Sequence, residues 1–189
     1  MDVRDVWKKE ADFSDWLCSD DGVALLSTEL GVEVEEPMRE VKAADYACDV
    51  VARLVGDPYG VVVIENQFGK TDHDHLGKLM TYAACNQAVT AIWIAVKASD
   101  DHRSAVDWLN ANTPPTVQFY LAEIAAFRIG DSPAAPRLKV VCQPNIPAKA
   151  KASSGSATEQ WLLEYWTDIT EAVAGKHPPF KPPQPGVHS

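Results

Sequence analysis

The sequence has no C-x-x-C pair, no glycine-rich phosphate loop and no apolar run near the ~18–20 residues that a membrane-crossing helix requires. Its four cysteines, Cys18, Cys48, Cys85 and Cys142, stand 30, 37 and 57 residues apart. That spacing argues against a disulfide scaffold and against a cysteine-based zinc site, and leaves buried reduced thiols as the default. The opening residues MDVRDVWKKE are too polar for a signal peptide. A soluble, cytoplasmic protein with no membrane partner is expected. Basic residues are also scarce, at 17 against 27 acids, a net charge of −10 that disfavours coating nucleic acid by bulk attraction. The imbalance is local. Residues 1–57 hold 15 acids and 6 bases, and the remaining chain holds 12 and 11, so a neutral or basic groove beyond residue 57 is compatible with the total.

What is present suffices for one sizeable core: 189 residues, 46% of them apolar. From Asp5 to Leu17, Val6, Phe13, Trp16 and Leu17 fit one helical face, and a second helical pattern from Val23 to Leu30 stops at Gly31. Val32 and Val34 then alternate with acids, and residues 40–42 look extended after Pro37. Residues 46–54 read as a strand, 56–60 as a turn, and 61–67 as a nearly continuous β-branched strand, together a hairpin whose second member is central. A helix follows over about residues 72–86, with Thr71 as expected N-cap and Asp74 in the capping-box position. Residues 90–96 form another buried-strand pattern, and Ser99 caps a helix to about Asn110. Residues 117–129 suit one long strand or two short ones, and 138–142 add another. The expected class is α/β (α+β), with a mixed central sheet flanked by helices. The expected domain spans residues 1–143, followed by a flexible linker (144–157), an amphipathic helix (158–175) and a Pro-rich tail (176–189).

The hairpin carries the chemistry. Glu65 and Gln67 are two apart on a strand, so both side chains leave one face of the sheet. Asp49 lies on the preceding strand, where pairing can set it beside Glu65. Both acids sit among apolar neighbours, Ala47-Cys48-Asp49-Val50-Val51 and Val62-Val63-Ile64-Glu65. An unpaired buried carboxylate costs several kcal/mol, so two together require a cation, a shared proton or a basic partner. A hard divalent ion is the simplest resolution, since Mg²⁺ is held by one or two carboxylates and completes its shell with waters and phosphate oxygens.

Asp49, followed by Glu65-Asn66-Gln67 at the end of the next apolar strand, resembles the PD-(D/E)XK nuclease signature with Gln in the Lys place. The αβββαβ order inferred above matches the restriction-endonuclease-like core of that superfamily. The chain is most similar to bacterial members with a block like Ile64-Glu65-Asn66-Gln67 followed by Thr71-Asp72-His73-Asp74-His75-Leu76-Gly77 and Thr81-Tyr82-Ala83. The resemblance extends from Glu10-Ala11-Asp12-Phe13 to Arg128-Ile129-Gly130-Asp131-Ser132-Pro133. It implies that Asp49 and Glu65 bind Mg²⁺ or Mn²⁺, with the Asn66 carbonyl as a further ligand. Gln67 would orient the attacking water or the scissile phosphate. Glu10 and Glu40 match acids of the family that bind a second metal or the water. Lys78 and Tyr82 occupy a position like the Gln-x-x-x-Tyr element of RecB-like nucleases. Two departures stand out: Gln67 is neutral where Lys is commoner, and Lys78 stands where relatives have Gln. Lys78 is therefore a candidate for the missing positive charge, against its reading as a surface lysine on an amphipathic helix.

The implied activity is metal-dependent hydrolysis of nucleic-acid phosphodiesters, DNA first, in restriction, repair or phage defence. The alternative is a catalytically weak or inactive nuclease-like module that binds nucleic acid or a protein. Asp49 and Glu65 can also be read as a structural pair satisfied by Arg or backbone groups. His73 and His75, two apart on a helix, point away from each other, so a capped helix start explains them better than a metal pair; His75 remains within reach of the site. The Trp161/Trp166 face suggests core or a homodimer contact.

Overall fold

The structure, a computed structural model, describes residues 1–43 and 46–144. The expectations for the linker from residue 145 onward, the C-terminal helix, its dimer contact and the tail lie outside the described residues.

Eight to ten residues of alternating or near-continuous apolar pattern at a time build a six-stranded mixed sheet whose strands lie in sequence order. They are β1 (Val34–Ala43), β2 (Tyr46–Leu54), β3 (Val61–Lys70), β4 (Thr90–Lys97), β5 (Gln118–Phe127) and β6 (Ala135–Cys142). The β1–β2, β2–β3 and β5–β6 pairs are antiparallel, while β3–β4 and β4–β5 are parallel. Parallel neighbours need crossover connections. Helices α3 (His73–Cys85) and α4 (Asp100–Asn112) supply them, after α1 (Glu10–Leu17) and α2 (Asp20–Leu30). The αβββαβ order expected from the sequence is present as α1-β1-β2-β3-α3-β4 with α2 added before β1.

Side-chain alternation on β3 sorts the core into two layers. Val62, Ile64 and Phe68 pack with Phe13 and Leu17 of α1 and with Leu26 and Leu30 of α2. Val63 packs on the opposite face with Leu79, Tyr82 and Ala83 of α3 and with Val106 and Leu109 of α4. β3 is buried from Val62 to Phe68, as expected of a central strand covered on both sides.

Several expectations are corrected. The helix expected from Asp5 to Leu17 is broken into a 3-10 turn, Val3–Asp5, and α1. Trp7 and Val3 reach the same apolar cluster as Phe13 from this broken path, and Lys9, extended, places its N–H on Asp12 Oδ2 at 2.9 Å to start α1. Thr71 is not the cap of α3. Its hydroxyl accepts from Ser99 N at 2.9 Å, and Asp72 caps instead, accepting from His75 N at 2.9 Å. Residues 117–129 give one strand, β5. Among the described residues no helix is long and apolar enough to cross a membrane.

Candidate active site

The β2–β3 ladder runs from Arg53↔Val61 to Val50↔Ile64. The next residues on each strand are Asp49 and Glu65, so the two carboxylates sit where the ladder stops. There the Asp49 side chain replaces strand pairing: its Oδ2 accepts from Asn66 N at 2.9 Å and from Asn66 Nδ2 at 3.0 Å. Asn66 Nδ2 also donates to Ser14 Oγ of α1 at 2.8 Å. Two residues further, Phe68 N donates to Glu10 Oε1 at 2.6 Å, and the Arg4 guanidinium donates to the Phe68 carbonyl. The end of β3 is thereby fixed by side chains from β2, α1 and the N-terminal turn. Glu10, first residue of α1, is brought to the site by this contact.

Glu65 is only 2% exposed, and its Oε2 has no hydrogen-bond partner among the described residues; Asn66 Oδ1 is in the same position. Its nearest countercharge is Lys78 Nζ, 3.8 Å from Oε1, on a side chain 43% exposed. That distance leaves Lys78 an electrostatic neighbour rather than a hydrogen-bond donor. Burial, and next the charge of Asp49, push the Glu65 carboxyl up to about 8; Glu10 and Asp72 add to this and Lys78 opposes it. Burial also raises Asp49, against the Asn66 N–H bond and the charges of Lys78 and His75.

Among the described residues no group of three or more His, Cys, Asp or Glu is placed to hold a metal ion. An open site of two carboxylates and an amide carbonyl, with an orphaned buried Glu65 oxygen, is nevertheless a hard-oxygen donor set suited to Mg²⁺ or Mn²⁺, which keep several waters. The residues fit such an ion.

Gln67 is 4% exposed, and both its N–H donors are used within the protein, on the Lys70 carbonyl at 2.9 Å and Asp72 Oδ2 at 3.0 Å. Its Oε1 accepts from Trp93 Nε1 of β4 at 2.9 Å. Asp72 Oδ1 in turn meets His75 Nδ1 at 2.8 Å. Burial would raise the Asp72 carboxyl, but the His75 N–H, the His75 ring and Gln67 outweigh it and bring it down to about 2. Tyr82 is 3% exposed and packs in the α3/α4 layer, below the carboxylates.

Glu40 is not brought in. It lies between the Arg39↔Val50 and Val41↔Cys48 pairs, yet its φ of 50° turns the exposed side chain onto Arg39 Nη2 at 2.7 Å. Arg39 also pairs with Asp15 of α1, which draws this acidic cluster away from Asp49.

A second polar cluster went unread in the sequence. His102 of α4 is buried and its Nδ1 lies 2.8 Å from Ser99 Oγ and 2.9 Å from Thr71 Oγ1, while its Nε2 meets His73 Nδ1 at 3.0 Å. Burial, then the charge of His73, lower the His102 imidazole. The signal was available: Asp72-x-x-His75 and Ser99-x-x-His102 share one spacing, an N-cap followed by a histidine on the third helical residue.

No family model and no curated protein matches the chain. Among solved structures it is similar to a repair endonuclease from Pyrococcus abyssi, at 15% sequence identity and a TM-score of 0.43, over 53% of this chain and 43% of that one. The chain thus covers less than half of that endonuclease.

Proposed function

We propose that the protein is a metal-dependent nuclease that hydrolyses phosphodiester bonds of nucleic acid, with DNA as the first substrate to test. The observation that carries this reading is the buried Glu65 carboxylate at the end of a strand ladder, whose Oε2 has no hydrogen-bond partner among the described residues, beside Asp49 and within electrostatic reach of Glu10. Such an arrangement costs stability unless a cation completes it.

In this reading Asp49, Glu65 and the Asn66 carbonyl hold one Mg²⁺ or Mn²⁺. The ion supplies a more acidic water and positive charge against the phosphate. Glu10 and Arg4 keep the Phe68 peptide, and so the end of β3, in place. Lys78 offers a cation that Gln67 lacks, 3.8 Å from Glu65. Gln67, with its donors committed inward, orders Asp72 rather than meeting the substrate. Outside the site, Lys70 and Lys97 are cross-strand neighbours at the same ends of β3 and β4, and Lys97 and Lys139 flank Glu123 at 3.0 and 3.5 Å. These lysines offer phosphate contacts on an otherwise acidic chain.

The same inward commitment of Gln67 favours the second reading, a nuclease-like module that binds nucleic acid or a protein without cutting. One experiment separates them. Circular, linear and single-stranded DNA are incubated with Mg²⁺ or Mn²⁺, with EDTA as control, using wild type, Asp49→Ala and Glu65→Ala. Metal-dependent cutting, reduced by about a thousandfold or more in both variants, is expected of the nuclease. Folded wild type that leaves every substrate intact moves the assignment to the binding module. Equal cutting by the variants removes the site.

A further inference from the structure

Two histidines occupy the same position in two helices, and their surroundings differ in sign. His102 faces two neutral hydroxyls, Ser99 and Thr71, and a second histidine. His75 faces a carboxylate. Asp72 Oδ1 accepts from both the backbone N–H and Nδ1 of His75, at 2.9 and 2.8 Å, and Oδ2 is held by Gln67, which is itself held by Trp93. With every bond to it accepted, the Asp72 carboxylate can only be an acceptor, so Nδ1 of His75 must carry the proton. The exchangeable nitrogen is then Nε2, which has no hydrogen-bond partner among the described residues. The ring is one-fifth exposed, at the rim of the site. The charged groups around it are Asp72 at its back, Asp49 on β2 and, one turn along α3 on the same helical face, Lys78 beside Glu65.

Resting on the phosphodiesterase reading above, we propose that His75 is the general acid of the reaction and that Asp72 is its positioning residue. Asp49 and Glu65 would serve the ion and its water, and Gln67 has its donors committed within the protein, whereas His75 Nε2 is a ring nitrogen able to give a proton to the departing oxygen. Water adds through oxygen to phosphorus, the bond from phosphorus to the 3′ oxygen breaks, and the imidazolium proton on Nε2 passes to that oxygen. The proton released by the water goes to solvent, and His75 regains one from solvent, so the balance is one water consumed per bond. The Asp72 carboxylate stabilises the imidazolium without itself taking the proton.

The test compares two DNA duplexes with Mn²⁺, one normal and one with a single 3′-bridging sulfur at the cleaved bond, whose thiolate leaves without protonation. His75→Ala should slow the oxygen substrate by about a hundredfold or more and the sulfur substrate by less than about threefold. Asp72→Asn keeps a competent helix cap but removes the charge that orients the ring, and should slow the oxygen substrate by more than it slows the sulfur substrate. In the metal-free protein, histidine ¹H–¹⁵N spectra should show His75 as the Nδ1–H tautomer. Equal slowing on both substrates, no slowing at all, or an Nε2–H tautomer overturns the role of His75 while leaving the nuclease reading intact. Failure of the wild type to cut either duplex overturns both.

Discussion

Two residues apart on β3, Glu65 and Gln67 live under opposite rules. Gln67 has a partner for each of its donors and for its oxygen, and it links β4, the end of β3 and the cap of α3 into one hydrogen-bonded unit. Glu65, equally buried, has an oxygen with no hydrogen-bond partner among the described residues and a lysine too far away to bond. A fully satisfied buried network adds rigidity, and a half-satisfied one is a liability that folding alone does not explain. The contrast teaches where to look for a ligand: the satisfied half is scaffold, and the unsatisfied half is where something must bind.

The largest effect should come from breaking the satisfied half. Trp93 is fully buried between the sheet and α3/α4, and its Nε1 is the donor that holds Gln67. Trp93→Ala should cost roughly 3–5 kcal/mol, lowering Tm on the order of 10 °C. Trp93→Phe retains most of the apolar contact but strands Gln67 Oε1, and should cost about 1–3 kcal/mol. Thermal unfolding of both variants checks the order. If Trp93→Phe is as stable as wild type, the Gln67 network is not the scaffold described here.

The legible part of this molecule is the part written in periodicity. β4 is a continuous apolar run, β3 and β5 are apolar runs interrupted by Glu65-Asn66-Gln67 and by Glu123, and Gly31 closes α2 with a φ of 67°. Asp49 and Glu65 stand out in the sequence because each is a carboxylate among apolar neighbours, which points either to a bound cation or to a structural pair. Glu40 is suggested only by the family resemblance, and its left-handed backbone angle and its pairing with Arg39 are invisible to periodicity. The partners of Gln67 are not legible in the sequence, since they come from Trp93, 26 residues away, and from the helix cap Asp72, where the sequence suggests Thr71. The break between Val3–Asp5 and α1 was hidden for a related reason: Trp7 and Phe13 reach one cluster by a path whose apolar spacing imitates a helix.

A smaller effect, of opposite sign, is expected from the unsatisfied half. With its native carboxyl raised to about 8 by burial and by Asp49, Glu65 keeps its proton when folded at pH values where the unfolded chain, near 4.5, has released it. Its contribution to stability is therefore complete below about pH 4.5, falls as pH rises, and is lost above about 8. Glu65→Gln has no proton to lose. In EDTA near pH 8 this variant should be more stable than wild type by about 2 kcal/mol, roughly 4–8 °C in Tm, with the difference vanishing towards pH 4. Mg²⁺ should reverse the ranking, because only wild type offers the ion a second carboxylate. A variant that gains as much from Mg²⁺ as wild type would place the ion elsewhere.

The smallest effect on stability, and the most informative about chemistry, belongs to Lys78. Its half-exposed side chain makes at most a long ion pair with Glu65, so Lys78→Gln should change stability by less than ~1 kcal/mol. If the lysine supplies charge to a phosphate that Gln67 cannot, turnover should nevertheless fall by about tenfold, with Lys78→Arg recovering part of it. The same substitution removes the one cation that opposes the rise of the Glu65 carboxyl, so the stability loss with rising pH should begin at the same pH and extend to higher values. Steady-state cleavage and a pH series of unfolding curves read these two consequences independently. Unchanged turnover together with the extended pH dependence would leave Lys78 as a neighbour of Glu65 and nothing more, and the positive charge of the site would then rest on the bound ion and on His75.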